Sequence, residues 1–267
     1  MKEQPSSIVS GLGTTQIMTR RFAVLGSPIE HSPSPAIHNF MFEARGEDAS
    51  YGRFELASGL GSFVASKSDY QGFSVTMPLK DEAFELSTKR SDLALRTKSV
   101  NTLIRVGTEL HGYNTDVLGI RKAIGFEPET VSILGSGATA RSALAAFPNA
   151  KRLLFARNEQ AASDLGAEFD ASSVHFKEAV SAEVVISTLP PGVLPGFAAG
   201  IEIPGTLLDV AYTNPALPCG AYVSGLLMLI HQAIGQQRLF NFGDENLELE
   251  NEAELLEGLL KLLSMAK

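Results

Sequence analysis

Two short stretches carry residue types that could do chemistry. In GFSVTMPLK, Gly72 to Lys80, a lone lysine follows a run that reads as a buried strand closed by a proline. Lysine is almost never fully buried unless it is paired, so Lys80 either lies on a solvated rim or faces a specific partner. In TVSILGSGATARSALAAF, a strand over Val131 to Leu134, a glycine turn and a helix opening near Thr139 have the form of a phosphate-binding Rossmann unit. Gly135 permits the tight turn, Gly137 lets the backbone approach a pyrophosphate, and Ala140 stands where the pattern takes Gly or Ala for close helix packing. The helix N-terminus would offer N–H groups and the positive end of its dipole to the phosphates.

The next strand, KRLLFARN, sets the cofactor preference. NAD-selective sites carry Asp or Glu at its end, to hold the ribose 2′-hydroxyl. Here the position is Ala156, followed by Arg157. The planar fork of arginine suits a 2′-phosphate, so NADP is favoured over NAD; the alternative is that Arg157 is an ordinary exposed strand-end residue. The five histidines, at 31, 38, 111, 175 and 231, show no ligand spacing and read as structural or exposed, so no metal site is expected. Cys219 is the only cysteine and reads as a packing or surface residue. It permits no intrachain disulfide, which makes the cytoplasm the expected compartment.

These residues need elements to position them. RFAVLGSPI reads as a short strand ended by Gly26 and Pro28, followed by the loop EHSPSP and a helix from Ala36 to about Arg45. ASYGRFEL and GFSVTM are further strands with LGSFVASKS as a helix between them, and NTLIRV and ELHGYNTD form a hairpin turning near Gly107. VLGIRKAIGF has helical spacing. Strand patterns recur at EVVIST and GTLLDVAY, so parallel pairing with helix crossovers is the economical reading. Towards the C-terminus, GLLMLIHQAIGQQRLFNF and LELENEAELLEGLLKLLSMA are two helices with apolar residues three and four apart, expected to pack back on the first half.

Composition narrows the function classes. A chain of 267 residues can form one large domain or two ordinary ones, each with a real core. Hydrophobic residues at 44% and charged residues at 19% exclude wholesale disorder and a fibrous repeat. The net charge of −8 argues against a nucleic-acid partner, and the acidic run GDENLELENEAELLEG is most simply a solvated helix face. The N-terminal residues lack an apolar core of about 7–15 residues, and nowhere do roughly 18 apolar residues run uninterrupted. Neither export nor a membrane span is expected. Met18 directly precedes TRRFAVLG, so residues 1–17 are expected to be a frayed extension or to reflect an early start, and carry no assigned function.

Taken in order, the motifs resemble the shikimate dehydrogenase family over nearly the whole chain from Arg21. FAVLGSPIEHSPSPAIHN is similar to its opening strand and Ser-x-Ser substrate loop, GFSVTMPLK to its Asn-Val-Thr-x-Pro-x-Lys block, and SVNTL and GYNTD to two polar turns. ILGSGATARSA corresponds to its cofactor loop, DVAYTNP to a late strand end and GLLMLIHQA to the closing helix.

The resemblance implies an α/β enzyme that reduces 3-dehydroshikimate to shikimate with NADPH in aromatic amino acid biosynthesis. It implies an N-terminal α/β substrate domain, residues 1–117 with 240–267, and a Rossmann-type NADP-binding domain, residues 118–239, in a monomer or homodimer. Residue by residue, it makes Lys80 and Asp116 the catalytic pair. Ser32, Ser34, Thr76, Asn101, Tyr212 and Gln232 become substrate contacts, with the two serines on the carboxylate. Gly135, Ser136, Gly137, Ala138, Thr139, Arg157, Asn158, Val210, Gly225 and Met228 would line the cofactor site. An ion pair would answer the question of the lysine, since a neighbouring anion offsets the desolvation of the ammonium.

Several positions depart from the family pattern. Ser74 replaces its Asn before Val-Thr, Lys98 replaces a Gly, SGAT replaces a double-glycine turn, and the tryptophan near the closing helix is absent. The second basic residue that commonly follows the 2′-phosphate arginine is also missing. A quinate or aminoshikimate dehydrogenase is therefore the alternative substrate assignment. A non-catalytic ligand sensor on the same fold is a further one, against which stands the presence of both Lys80 and Asp116.

Overall fold

The computed structural model describes residues 19–198, 200–212 and 217–265; residues 1–17 and part of the DVAYTNP motif lie outside them. In the first half, β1 (Arg20–Gly26), β2 (Ala49–Glu55), β3 (Gly72–Val75), β4 (Lys89–Arg90), β5 (Thr102–Val106) and β6 (Glu109–Tyr113) form one sheet in the order β2-β1-β3-β5-β6-β4. The helices α1 (Ser34–Ala44), α2 (Leu60–Ser66), α3 (Lys80–Leu86) and α4 (Asp92–Thr97) connect them. β1 pairs in parallel with β2 and β3, and β5 and β6 form the expected antiparallel hairpin. α1 begins two residues before the expected Ala36. The proline at position 35 fits its first turn, where no backbone N–H is needed.

α5 (Asp116–Ile124) leads into the second sheet, built from β7 (Thr130–Leu134), β8 (Lys151–Phe155), β9 (Ser172–Ser173), β10 (Val184–Ser187), β11 (Ile203–Asp209) and β12 (Cys219–Ser224). Between its strands lie α6 (Ala138–Ala146), α7 (Glu159–Phe169), α8 (Phe176–Ala179) and α9 (Leu194–Phe197). All pairings are parallel, in the order β9-β8-β7-β10-β11-β12. The order reverses between β7 and β10, and open α/β sheets take ligands at such a switch point. β7 and β10 are buried almost throughout, which is why they read as continuous apolar runs.

Two C-terminal helices, α10 (Gly225–Phe242) and α11 (Glu252–Met265), complete the fold. Ile230, Ala233 and Ile234 of α10 pack with Ile37 and Met41 of α1 and with Leu255 and Leu259 of α11, so these helices return to the first half as expected. The expected seam between residues 239 and 240 falls inside α10, which runs unbroken across it. Opposite ties link the halves elsewhere: Arg141 of α6 pairs with Asp81 of α3, and Lys98 lies 2.9 Å from Glu168 of α7.

α10 also lies along α5, and Gly119 sets how closely. A Cβ at this position would stand 2.7 Å from the Met228 carbonyl oxygen and 2.9 Å from Gln232 Cβ. Gly119→Ala must therefore push α10 away. Overpacking costs about 1–3 kcal/mol, and the gain in helix propensity of about 1 kcal/mol offsets part of it. A net loss of up to about 2 kcal/mol is expected as a lower urea midpoint at unchanged slope; a raised midpoint would show that the two helices separate freely.

Candidate active site

The segment after β3 turns at once into a helix. Thr76 N–H donates to the Leu25 carbonyl at 2.8 Å and Leu79 N–H to the Thr76 carbonyl at 2.9 Å, so Lys80 becomes the first residue of α3. From there its Nζ lies 2.5 Å from Asp116 Oδ2 and 3.5 Å from Thr139 Oγ1. The lysine and aspartate side chains are only 11% and 6% exposed. Lys80 thus has a specific partner, brought in from 36 residues away.

Asp116 opens α5, and its place is fixed by the preceding turn. Asn114 Oδ1 accepts the Asp116 N–H at 3.1 Å, while Asn114 Nδ2 donates to Thr97 Oγ1 at 2.8 Å and Ser142 Oγ at 3.0 Å. Asn101 holds the other carboxylate oxygen: its Nδ2 donates to Asp116 Oδ1 at 2.8 Å, with Gln232 Oε1 at 3.3 Å. Both oxygens of Asp116 are therefore engaged. In so dry a setting each charge offsets part of the other's desolvation.

A cleft of about 460 Å³ opens over this pair. Ser32, Ser34, Thr76, Asn101, Tyr212 and Gln232 all line it. Ser34 is buried at the start of α1, whose N-terminus has no side-chain cap, and its N–H donates to Ser32 Oγ at 3.4 Å. Two hydroxyls beside an uncapped helix start can receive an anion. Tyr212 is 42% exposed with φ +43°. Thr139, Val210, Gly225 and Met228 form part of the cleft wall as well, so groups suited to a hydroxylated substrate and groups suited to a cofactor face one space.

The other expected cofactor residues lie outside the cleft wall. Gly135, Ser136, Gly137 and Ala138 make the turn from β7 into α6, and Arg157 and Asn158 follow β8. Gly135 has φ +124°, and a Cβ there would run into the Thr188 hydroxyl beyond β10; at Gly137 the space is open. No side chain caps α6, which leaves its first N–H groups for a ligand. Arg157 is exposed, and no side chain among the described residues pairs with it. A glycine cradle, an uncapped helix start and a free guanidinium fit a phosphorylated dinucleotide. Asn158 has another duty, since its Oδ1 caps α7 by accepting the Ala161 N–H at 3.0 Å.

A buried polar network behind the cleft went unread in the sequence. Tyr51 OH donates to Ser74 Oγ at 2.6 Å, Ser74 Oγ donates to Gln236 Oε1 at 2.9 Å, and His38 Nε2 meets the same amide oxygen at 3.2 Å. The available signal was the spacing of Gln232 and Gln236, one helical turn apart among the apolar residues of α10. Among the described residues no cluster of three His, Cys, Asp or Glu could hold a metal, and no helix is long and apolar enough to cross a membrane.

Comparison with known proteins bears on this site. Residues 24–103 match the family model described as shikimate dehydrogenase substrate binding domain. The chain is 34% identical over 253 residues to the shikimate dehydrogenase (NADP(+)) of Methanosarcina acetivorans, covering 80% of this chain and 90% of that protein. It is 33% identical over 272 residues to the protein of that name from Leptospira interrogans, covering 88% and 93%. Among solved structures, Mycobacterium tuberculosis shikimate dehydrogenase aligns with a TM-score of 0.80 and 31% identity over 91% of this chain and 99% of that one. The Thermus thermophilus enzyme, solved with NADP(H) and shikimate, aligns with a TM-score of 0.77 and 26% identity over 91% and 99%.

His38 offers a test of the network. It is fully buried and stacks on Tyr51 with ring centroids 4.1 Å apart. Burial pushes its pKa from 6.5 down to about 3, outweighing the opposing hydrogen bond to Gln236. Below pH 6.5 the unfolded chain takes up a proton that the folded chain refuses. The stabilising contribution is thus complete above pH 6.5 and falls, by up to about 1.4 kcal/mol per pH unit, towards pH 3. His38→Gln should flatten the acid limb of stability by that slope in urea melts between pH 6.5 and 4.5, whatever its effect at neutral pH. Parallel limbs would mean that the folded state accepts the proton.

Proposed function

The chain belongs to the shikimate dehydrogenase family, and we propose that it catalyses the reversible NADPH-dependent reduction of 3-dehydroshikimate to shikimate. The observation that carries this reading is the nearly buried Lys80–Asp116 pair in a cleft whose wall combines the hydroxyl- and amide-bearing residues with Thr139, Val210, Gly225 and Met228.

A hydroxylated ring acid needs one anion site and several neutral, directional partners. Ser32 and Ser34, at the start of α1, hold the carboxylate, and Thr76, Asn101, Tyr212 and Gln232 take the ring hydroxyls. NADPH, when bound, supplies the hydride. Lys80 meets the ketone oxygen on which negative charge builds and gives it a proton, and in the reverse direction receives the hydroxyl proton. Asp116 orients the ammonium through Oδ2 while Asn101 steadies Oδ1, a division supported by the 2.5 Å and 2.8 Å contacts. The Gly135–Thr139 turn and the start of α6 receive the pyrophosphate, Arg157 grips the 2′-phosphate, and Val210, Gly225 and Met228 line the nicotinamide end.

Residues 1–117 with 240–267 serve the substrate and residues 118–239 the cofactor, with Tyr212 and Gln232 reaching from the second segment to the substrate. All the proposed groups can come from one chain, which is compatible with a monomer or a homodimer. The single cysteine supports a cytoplasmic enzyme.

Oxidation of shikimate and of quinate with NADP tests the assignment directly: shikimate should be the faster substrate, and an enzyme active on quinate alone would replace it. Lys80→Ala should lower kcat by roughly 10²–10⁴ without changing NADPH affinity. Asp116→Asn should cost a comparable factor, and the double variant far less than the product, because the two groups act as one unit. Multiplicative losses would mean that they act separately.

For the cofactor, Arg157→Ala should raise the KM for NADPH and barely touch that for NADH, since only the former carries the phosphate that a guanidinium grips. The NADPH/NADH ratio of kcat/KM should fall about tenfold or more. Equal weakening of both cofactors would make Arg157 an ordinary strand-end residue.

A further inference from the structure

Ser74 lines the cleft beside Gln236 and is bonded from behind by Tyr51, and the proton positions of this network are fixed from two ends. At one end, the Asn101 carbonyl can only accept, and Gln236 Nε2 donates to it at 3.2 Å and to Thr102 Oγ1 at 2.9 Å. The amide oxygen of Gln236 must therefore face Ser74 and His38. At the other end, the Arg20 guanidinium can only donate, and it meets Asn241 Oδ1 at 3.0 Å. Asn241 Nδ2 then faces Gln237 Oε1 at 3.4 Å, so Gln237 Nε2 is the group that lies 3.0 Å from His38 Nδ1. His38 accepts at Nδ1 and carries its proton on Nε2, directed at Gln236 Oε1. The two ends agree on the same amide orientation.

The consequence falls on Ser74. Gln236 Oε1 has no proton to give, so the 2.9 Å contact uses the Ser74 hydroxyl proton. The 2.6 Å contact with Tyr51 must then use the phenol proton, donated to Ser74 Oγ. A hydroxyl has one proton and two lone pairs. The proton and one lone pair are committed, and what remains towards the cleft is a single lone pair.

We propose that Ser74 is a specificity-determining residue that presents the substrate with a hydrogen-bond acceptor only, and so selects a ring hydroxyl over a carbonyl, ether or halogen at the position it touches. Tyr51, Gln236 and His38 are positioning residues that hold this polarity. The inference rests on the proposed shikimate dehydrogenase activity, because it needs a hydroxylated ring in the cleft.

The test is a substrate series: shikimate, and analogues in which each of the two non-reacting ring hydroxyls is replaced in turn by hydrogen or by fluorine. Fluorine accepts weakly and cannot donate. At one of the two positions the wild-type enzyme should lose about tenfold or more in kcat/KM with hydrogen and with fluorine alike. In Ser74→Ala the penalty at that position should shrink to within about threefold, while the penalty at the other position and the KM for NADPH stay as they were. Tyr51→Phe combined with Ser74→Ala removes the phenol that the single variant leaves without its acceptor, and should show the same pattern if Ser74→Ala folds poorly. A fluorinated analogue turned over as well as shikimate at both positions would show that neither hydroxyl needs to donate, and overturn the proposal. A common loss on all five substrates in the alanine variant would make Ser74 a packing residue. Failure of the wild-type enzyme to oxidise shikimate at all would instead overturn the proposed activity and, with it, this assignment.

Discussion

A desolvated ammonium must have an anion within reach, and in this chain that requirement joins the start of α3 to the start of α5. Taking either ion out of water alone costs several kcal/mol, so the Lys80–Asp116 contact tolerates little slack in the elements that carry it. The surrounding hydrogen bonds supply the rigidity. The Lys80 carbonyl accepts the Val100 N–H at 3.2 Å, which brings the following Asn101 beside the pair. Asn101 in turn has both ends of its amide occupied, with Oδ1 accepting the Thr115 N–H at 2.9 Å. Asn114 fastens the same corner to α4 and α6. Three turns far apart in sequence are thereby held to the tolerance of one ion pair.

Helix α10 closes this arrangement from the other side, and its composition reflects the task. Among described residues it buries Gln232, Gln236, Gln237 and Arg238 together with Ile230, Ala233, Ile234 and Leu239. Buried amides are tolerated only when their donors and acceptors are matched. Gln232 faces the cleft, while Gln236 and Gln237 each bond a ring nitrogen of His38. Arg238 leaves the site altogether and binds Glu252 of α11 through both Nε, at 2.9 Å, and Nη2, at 2.5 Å. One helix thus serves the cleft, the network behind it and the C-terminal packing.

What could be read from the sequence follows the range of the forces involved. β7 and β10 announced themselves because burial on both faces leaves an uninterrupted apolar run, and the β5–β6 hairpin because its turn chemistry is local. β12 did not: Cys219–Ser224 is partly exposed along its whole length and has no periodic pattern. The helical start at Lys80 was also hidden, since a proline two residues earlier reads as the end of a strand. Its one local sign was acidic, Asp81 and Glu82 in the first turn. The residue types of the site were legible position by position. The meeting of Lys80 and Asp116 was legible only through the family resemblance and that of Ser74 and Gln236 not at all, because both pairs are joined only by the tertiary fold. The expected division at 239/240 has no counterpart in the local structure, for α10 continues across it.

The cleft separates two kinds of electrostatics. Lys80 and Asp116 carry the formal charges in its interior, with His31 exposed among the lining residues, while the other polar groups of the wall are hydroxyls and amides. A neutral network offers a fixed pattern of donors and acceptors only so long as its imidazole stays neutral. Burial ensures this by pushing His38 to about 3, well below any pH at which the enzyme would work. A protonated His38 would carry N–H on both nitrogens, and its Nδ1 would confront the Gln237 Nε2 donor at 3.0 Å. Either Gln237 would have to turn, disturbing Asn241 and Arg20 behind it, or the contact would be lost. The cost of burying an imidazole therefore has a structural return: the polarity of the wall behind the Lys80–Asp116 pair stays constant across the pH range.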